Sequence, residues 1–417
     1  MAGNREVITG SDFKRMVSGA YSEFLLEYEH INQMKGAGHA SGTHILRTMG
    51  AAVLALEDAR DAGIGGYAQR MATAAVFGAR GAAGVVLAQL FRGIAKGLTG
   101  KYTATSSEFG KAFQYGILYA QRIVPEEPER PIITIAKSVA KGAYHAVRAD
   151  LPITEILGAA LQAGENSMKF VDREDAGARI MFTFFAGCLK GLDGNFVSPA
   201  ISLSLGLVSG QKGMQDPRED LVRPYCVRLS IRNPKIDMEA FKKQLEENST
   251  FALVEPHGKD VLVHLHTDHP GRVVDQAIGW GPLHEVRVTN MSESHVLGAH
   301  GALMKVALLA IAENRVQARE LQDDGINVIV SGSEEACPSV GEIVGAAHSD
   351  LAERYVLLAW SRDFHLALRQ AKRLLGERVE LVLACDKAQQ AQAMRAFDGE
   401  KSALENAKAM REAAGIS

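Results

Sequence analysis

Over residues 1–200 the chain repeats one pattern, with apolar residues every three or four positions, broken by short polar or Gly-rich gaps. The stretch SDFKRMVSGAYSEFLLEYEHI opens on Ser-Asp, a helix-cap signal, and sets Phe13, Met16, Val17, Tyr21, Phe24 and Leu25 on one face. THILRTMGAAVLALEDARDAG, GAAGVVLAQLFRGIAKGL, ERPIITIAKSVAKGAYHAVRA and PITEILGAALQAGENSM continue the series. They are rich in Ala and other small residues, which let helices approach closely, so this region predicts a helical bundle or closed helical barrel.

The period changes near residue 200. YCVRLSI, TFALVEP, DVLVHLHT and HEVRVTN are short, β-branched and mostly alternating, as half-buried strands are. DMEAFKKQLEEN and HPGRVVDQAIGWG lie between them as helices, so residues 201–295 predict a small α/β domain. From 296 to 417 the apolar runs MKVALLAI, INVIVSG, YVLLAW and VELVLAC alternate with helical stretches and read as buried parallel strands with crossover helices. The predicted fold class is multidomain α and α/β.

Composition narrows the function classes. Hydrophobic residues make up 47% and charged residues 23% of 417, values of an ordinary globular protein. A formal charge of −3, with no basic block, gives no electrostatic reason to expect nucleic acid. The N-terminal MAGNREVITGSDF lacks the layers of a secretory signal, and apolar stretches such as IMFTFFAGCLKGL are too short to span a bilayer. Cys188, Cys226, Cys337 and Cys385 form no CxxC pair, which suggests reduced thiols and a cytoplasmic setting.

Two Gly-rich elements precede helices: GAGHASGTHI and FGARGAAGVVLAQ. Glycines at a helix start let backbone N–H groups face an anion. Each alone is a weak signal, since glycines also permit tight helix packing. Their order is more specific. "IN…SGT", then GARGAAGVVLAQLFRG, then ITIAKSVAKGAYHAV, resembles the kinase domain of the fatty acid kinase family, which is related to the dihydroxyacetone kinase L-subunit. The family patterns are DGDTGTNM and GARGNSGVILSQ. The resemblance implies an eight-helix barrel with ATP at its mouth and magnesium on the first loop's aspartates. It also assigns Gly42, Thr43, Arg80, Gly81 and Gly84 as the nucleotide-binding remnant.

The departures fall where catalysis would suffer. Aligned on Gly42-Thr43, the family's Asp-Gly-Asp meets Gly38, His39 and Ala40, and the Asn after Gly-Thr becomes His44. The second loop's Ser meets Ala83, Glu-Gly-Thr becomes Glu129, Arg130 and Pro131, and EDAGARIMFTFF passes over the Asp-Ser-Gly-Gly-Lys segment. Magnesium wants hard oxygen ligands, and phosphoryl transfer depends on its charge. His39 and His44 are poor replacements. The expectation is a binding or regulatory pseudokinase with no catalytic residue, for which ATP and Mg are doubtful ligands. The alternatives are an active kinase that draws carboxylates from a partner protein, and a zinc-dependent hydrolase.

The hydrolase alternative rests on the middle region, where PYCVRLSI, VLVHLHTDHPG and VRVTNMSESH resemble the family's YGYCTEF, VHVHTNDPG and IDNMREQH. His264 and His266, two apart on a strand, share a face, and Cys226 on a neighbouring strand would complete a three-ligand zinc set. A fourth position is left for water or His269. The last region resembles the family's DegV-like C-terminal domain, with VIVSGSEEACPSVGEIV in place of Gly-Gly-Gln-Thr-Met-Asn-Pro-Ser. Gly332, Pro338 and Ser339 remain. Cys337 reads as a buried or loop thiol, and no Ser-centred triad is spaced in the sequence. The resemblance implies a fatty-acid-carrying DegV-like partner, a link to phospholipid metabolism, and a homodimer.

Overall fold

The computed structural model describes residues 7–34, 40–57, 59, 63–123, 131–149, 151–169, 175–194, 225–235, 251–257, 259–267, 269–290, 304–347 and 351–416. The chain divides into two compact units, residues 1–215 and 216–417.

Among the described residues the first unit holds eight helices: α1 (Gly10–Asn32), α2 (Ser41–Glu57), α3 (Ile64–Gly78), α4 (Gly81–Gly97), α5 (Ser106–Gln121), α6 (Pro131–Arg148), α7 (Ile153–Met168) and α8 (Ala176–Leu192). A two-residue ribbon joins β1 (Val7–Ile8) to β2 (Ala104–Thr105). Each helix packs on its successor, and α8 returns to α1, so the helices form a closed ring. The return is tight because it runs through glycines. A Cβ on Gly19 would lie 2.2 Å from the Gly187 carbonyl oxygen, and one on Gly191 would lie 2.1 Å from that of Arg15. Ion pairs Arg179–Glu27 (2.8 Å) and Lys190–Glu23 (2.7 Å) flank this seam.

The interior is aromatic. Phe113 stacks edge-on against Phe185 (4.9 Å between centroids), and Phe91 tilts against Phe184 (5.5 Å). On α1, Phe13, Met16, Val17, Tyr21 and Phe24 are buried as expected, and Leu25 is half-buried. The cap is not the Ser-Asp pair but Thr9. Its side chain accepts from the Asp12 N–H while the Asp12 carboxylate accepts from the Thr9 N–H, which closes a capping box two residues earlier than the Ser-Asp signal indicates.

Among the described residues the second unit holds two four-stranded sheets. β3 (Tyr225–Arg232), β4 (Phe251–His257), β5 (Asp260–Thr267) and β6 (Leu283–Asn290) form an antiparallel sheet in the order β4-β5-β3-β6. Val227, Leu229, Ile231, Val261, Val263 and Leu265 pack its core with Val273 and Ala277 of α9 (Pro270–Ile278). The helix expected over DMEAFKKQLEEN lies outside the described residues.

The other sheet is all parallel: β7 (Met304–Ala312), β8 (Val328–Ser331), β9 (Ala352–Ala359) and β10 (Val379–Leu383), in the order β10-β9-β7-β8. Its strands are nearly continuous apolar runs because helices cover both faces. These are α10 (Arg315–Asp323), α11 (Val340–Ala347), α12 (His365–Leu375), α13 (Lys387–Met394) and α14 (Ala403–Ala413). Among the described residues, no helix is long and apolar enough to cross a membrane.

Candidate functional site

The barrel mouth is built where α1 ends and α2 and α4 begin. Asn32, the last residue of α1, clamps the start of α2. Its Nδ2 donates to Thr43 Oγ1 (2.9 Å), and its Oδ1 accepts from the Thr43 N–H (3.1 Å). Gly42 lets the two helix ends meet: a Cβ there would lie 2.0 Å from the Tyr28 carbonyl oxygen. The second loop is tied to the first by Thr48. Its hydroxyl donates to the His44 carbonyl (2.7 Å) and accepts from the Arg80 N–H (3.2 Å). Gly84 fits over that hydroxyl, since a Cβ would come within 2.4 Å of Thr48 Oγ1.

His44 is buried. Its ring lies against Gly81, where a Cβ would sit 2.4 Å from His44 Nδ1, and Gly81 has the left-handed φ of +57° that glycine tolerates. Gly81 opens α4, whose N-cap Arg80 supplies no side-chain cap. The imidazole therefore packs on the helix end that a phosphate would approach. Gly42, Thr43, Arg80, Gly81 and Gly84 all stand at this mouth, with Asn32 and Thr48 joining them. Thr48 follows His44 by four residues on α2, one helical turn, a spacing that could have flagged it.

Ala40 carries the other informative angle, φ +52°. Left-handed backbone is tolerated by Gly, Asn and Asp and disfavoured for Ala. Ala40 stands where the resemblance puts the second aspartate, and its left-handed backbone is one that Asp tolerates better than the methyl side chain present. Gly38 and His39 lie outside the described residues. Ala40–His44 and Arg80–Gly84 contain no carboxylate. Asp175, near the segment where the family has Asp-Ser-Gly-Gly-Lys, is used as the N-cap of α8, where it accepts from the Ala178 N–H (2.9 Å). These residues do not fit a magnesium–nucleotide site.

Inside the barrel a small apolar cavity of about 40 Å³ is lined by residues including Phe13, Phe91, Phe184 and Cys188. Burial raises the Cys188 thiol far above its ordinary pKa, so it is an inert core residue rather than a nucleophile.

In the antiparallel sheet the ladder pairs Cys226 with His266 directly and Arg228 with His264. Positions 226, 264 and 266 alternate with the buried Val227, Val263 and Leu265. The register thus brings one thiol position and two imidazole positions together on adjacent strands, which fits a zinc set. The side chains of Cys226, His264 and His266 lie outside the described residues. His269 is exposed and precedes α9, with its N–H donating to Thr267 Oγ1 (3.1 Å).

In the parallel sheet Cys337 is fully buried in the loop after β8. Ser339 caps α11: its hydroxyl accepts from the Glu342 N–H (3.1 Å), and its own N–H donates to the Glu342 carboxylate (2.5 Å). Ser361 donates to Glu334 Oε1 (2.6 Å) and pairs with no imidazole in that bond. These are structural contacts, not a nucleophile with its base.

Residues 41–172 match the DAK2 domain, and residues 223–297 and 307–416 match the middle and C-terminal domains of the FakA-like fatty acid kinase family. Protein YloV of Bacillus subtilis is 27% identical over 397 residues, which cover 88% of this chain and 72% of that protein. An uncharacterized protein of Staphylococcus epidermidis is 25% identical over 405 residues, covering 89% of this chain and 73% of that protein. One from Staphylococcus aureus is 25% identical over 397 residues, covering 88% and 72%.

Proposed function

Because the chain belongs to the FakA-like fatty acid kinase family, we propose that it is a member without Mg-ATP phosphotransfer, acting as a binding or regulatory protein. The observation that carries this reading is Ala40, a methyl held at φ +52° just before α2, in a stretch with no carboxylate from residue 40 to 44. Without oxygen ligands the loop does not hold magnesium, and the charge that develops on a transferring phosphoryl group is not neutralised. The buried His44 adds to the argument, because a phosphate approaching the first turn of α4 would have to displace its ring.

On this reading the binding partner is a fatty-acid-carrying DegV-like protein, met by a chain that retains all three domains but not the reaction. Zinc on Cys226, His264 and His266 would play a structural part, crosslinking β3 to β5. The ladder pairing of Cys226 with His266 supports it.

The test is calorimetric titration of the full chain with ATP, with and without magnesium. The expected result is no magnesium-dependent binding tighter than about 100 μM, roughly −5.5 kcal/mol. Tighter magnesium-dependent binding would overturn the reading in favour of an active kinase that borrows its carboxylates from a partner.

A further inference from the structure

Along the outer edge of the parallel sheet, β10 borders a cleft of about 480 Å³. Four elements wall it, with Gln389 of α13 and the preceding Cys385 closing one end. α12 supplies His365, Arg369 and Lys372, spaced i, i+4 and i+7 and so aligned on one stripe of the helix. β10 supplies Glu380, Leu381 and Leu383. α14 supplies Arg411, with Ile416 just beyond the helix end.

The charge in this cleft is unbalanced. Lys372 is already satisfied: its Nζ lies 2.6 Å from Glu380 Oε2 and donates to the Val379 carbonyl at 3.0 Å. That second bond also occupies one carbonyl of the edge strand, which makes β10 a poor template for an added strand. Among the described residues, neither Arg369 nor Arg411 has a carboxylate partner. His365 adds no compensating or competing charge. Its Nε2 lies 2.9 Å from the Ala384 carbonyl oxygen, and burial lowers its pKa, with Arg369 and Arg362 acting in the same direction against the Ala384 contact and Asp363. The imidazole is therefore neutral at pH 7.

Two guanidinium groups without a carboxylate partner among the described residues thus line a cleft whose remaining wall is Leu381, Leu383 and Ile416 together with Cys385, Gln389 and Gly415. Guanidinium forks match phosphate and carboxylate oxygens. Two of them balance a dianion, which a phosphate monoester supplies at neutral pH and a single carboxylate does not. The volume is that of a small-molecule site. We infer that this cleft binds a small organic phosphate, with its phosphate facing Arg369 and Arg411 and its apolar body on the leucine wall. The inference is independent of the barrel's own chemistry.

The experiment is calorimetric titration of the full chain with phenyl phosphate, inorganic phosphate and benzoate, repeated on Arg369→Gln, Arg411→Gln and the double variant. Phenyl phosphate is expected to bind with Kd below about 1 mM, with inorganic phosphate and benzoate each weaker by about tenfold or more. The double variant is expected to lose at least about tenfold while its melting temperature is unchanged, since the Arg369 side chain is exposed and that of Arg411 is partly so. The imidazole resonances of His365 should move on saturation with phenyl phosphate. Equal binding of phenyl phosphate and benzoate overturns the proposal, as does equal binding of inorganic phosphate, which would mark an inorganic anion only. Affinity that survives the double substitution would place the phosphate elsewhere, for instance at the barrel mouth, and also overturns it.

Discussion

The barrel mouth and the β3–β5 ladder are the two places where the family pattern puts chemistry, and they match opposite halves of it. At the mouth the glycines and the Thr43 clamp persist and the acids are absent. In the ladder the Cys and His positions of the pattern are present, with Cys226 paired to His266 in the register. The difference teaches which residues a fold needs for its own sake. Gly42 sits on the Tyr28 carbonyl, Gly81 on the His44 ring and Gly84 on the Thr48 hydroxyl, so each is required by packing whether or not a nucleotide binds. The aspartates of a phosphate loop have no such second employment. A Gly-rich loop is therefore poor testimony for a ligand unless the groups that touch the ligand come with it.

Zinc removal gives the sharpest way to break this comparison. If the ladder holds zinc, the full chain should carry about one equivalent by elemental analysis, and Cys226→Ser should abolish it. At free zinc a thousandfold above Kd, the metal contributes about 4 kcal/mol to the sheet it crosslinks. Chelation should lower the melting of the second unit and leave the first unit's unchanged. A zinc-free chain with the same two melting transitions would make the ladder as empty of function as the mouth.

Gly42→Ala tests the other side. The added methyl meets a backbone carbonyl at 2.0 Å, which no side-chain rotamer can relieve, so α1 and α2 must separate. A loss of about 3 kcal/mol from the first unit is expected in denaturant unfolding without nucleotide. A neutral outcome would mean that the glycine is kept for a ligand after all.

Much of the fold was legible in the sequence, because it depended on period. The stripe Phe13–Phe24 on α1 and the apolar runs of β7, β9 and β10 each announce their element through local spacing. The Thr9 cap was obscured because Thr9, Ser11 and Asp12 all offer a capping oxygen within four residues, and only the backbone decides among them. The five residues assigned to the mouth could be found from the motif, but the contact of His44 with Gly81 could not. It joins two helices through a tertiary approach that leaves no periodic trace. The Arg369–Arg411 cleft is less legible still. Its arginines belong to different helices and meet only because α12 and α14 both pack beside β10.

Ala40→Gly probes the left-handed backbone at the start of α2. Removing the methyl relieves a left-handed alanine, and a gain of about 1 kcal/mol is expected in the first unit, reduced somewhat by glycine's larger unfolded-state entropy. Equilibrium denaturation checks it. A loss instead of a gain would mean that the Ala40 methyl makes a packing contribution that outweighs its strain.

The smallest effect separates the two regions by pH. The barrel needs no metal on this account, so its acid sensitivity should come from its caps, whereas a thiolate–imidazole site would release its metal as those ligands protonate. The clearest cap is at α5. Thr105 and Glu108 form a capping box, and Lys101 lies 2.7 Å from the Glu108 carboxylate. The bond to Lys101, and then the Thr105 N–H, hold the Glu108 pKa down to about 2. A depressed carboxylate stabilises fully above its ordinary value near 4.5 and loses that contribution as pH falls towards 2. The side chain is 39% exposed, so water screens the pair and the full shift does not appear as stability. Glu108→Gln should cost the first unit about 0.5 to 1 kcal/mol at pH 7, and the difference from the unchanged chain should shrink steadily below pH 4.5. A gap that persists at pH 2.5 would assign the loss to packing of the altered side chain rather than to its charge.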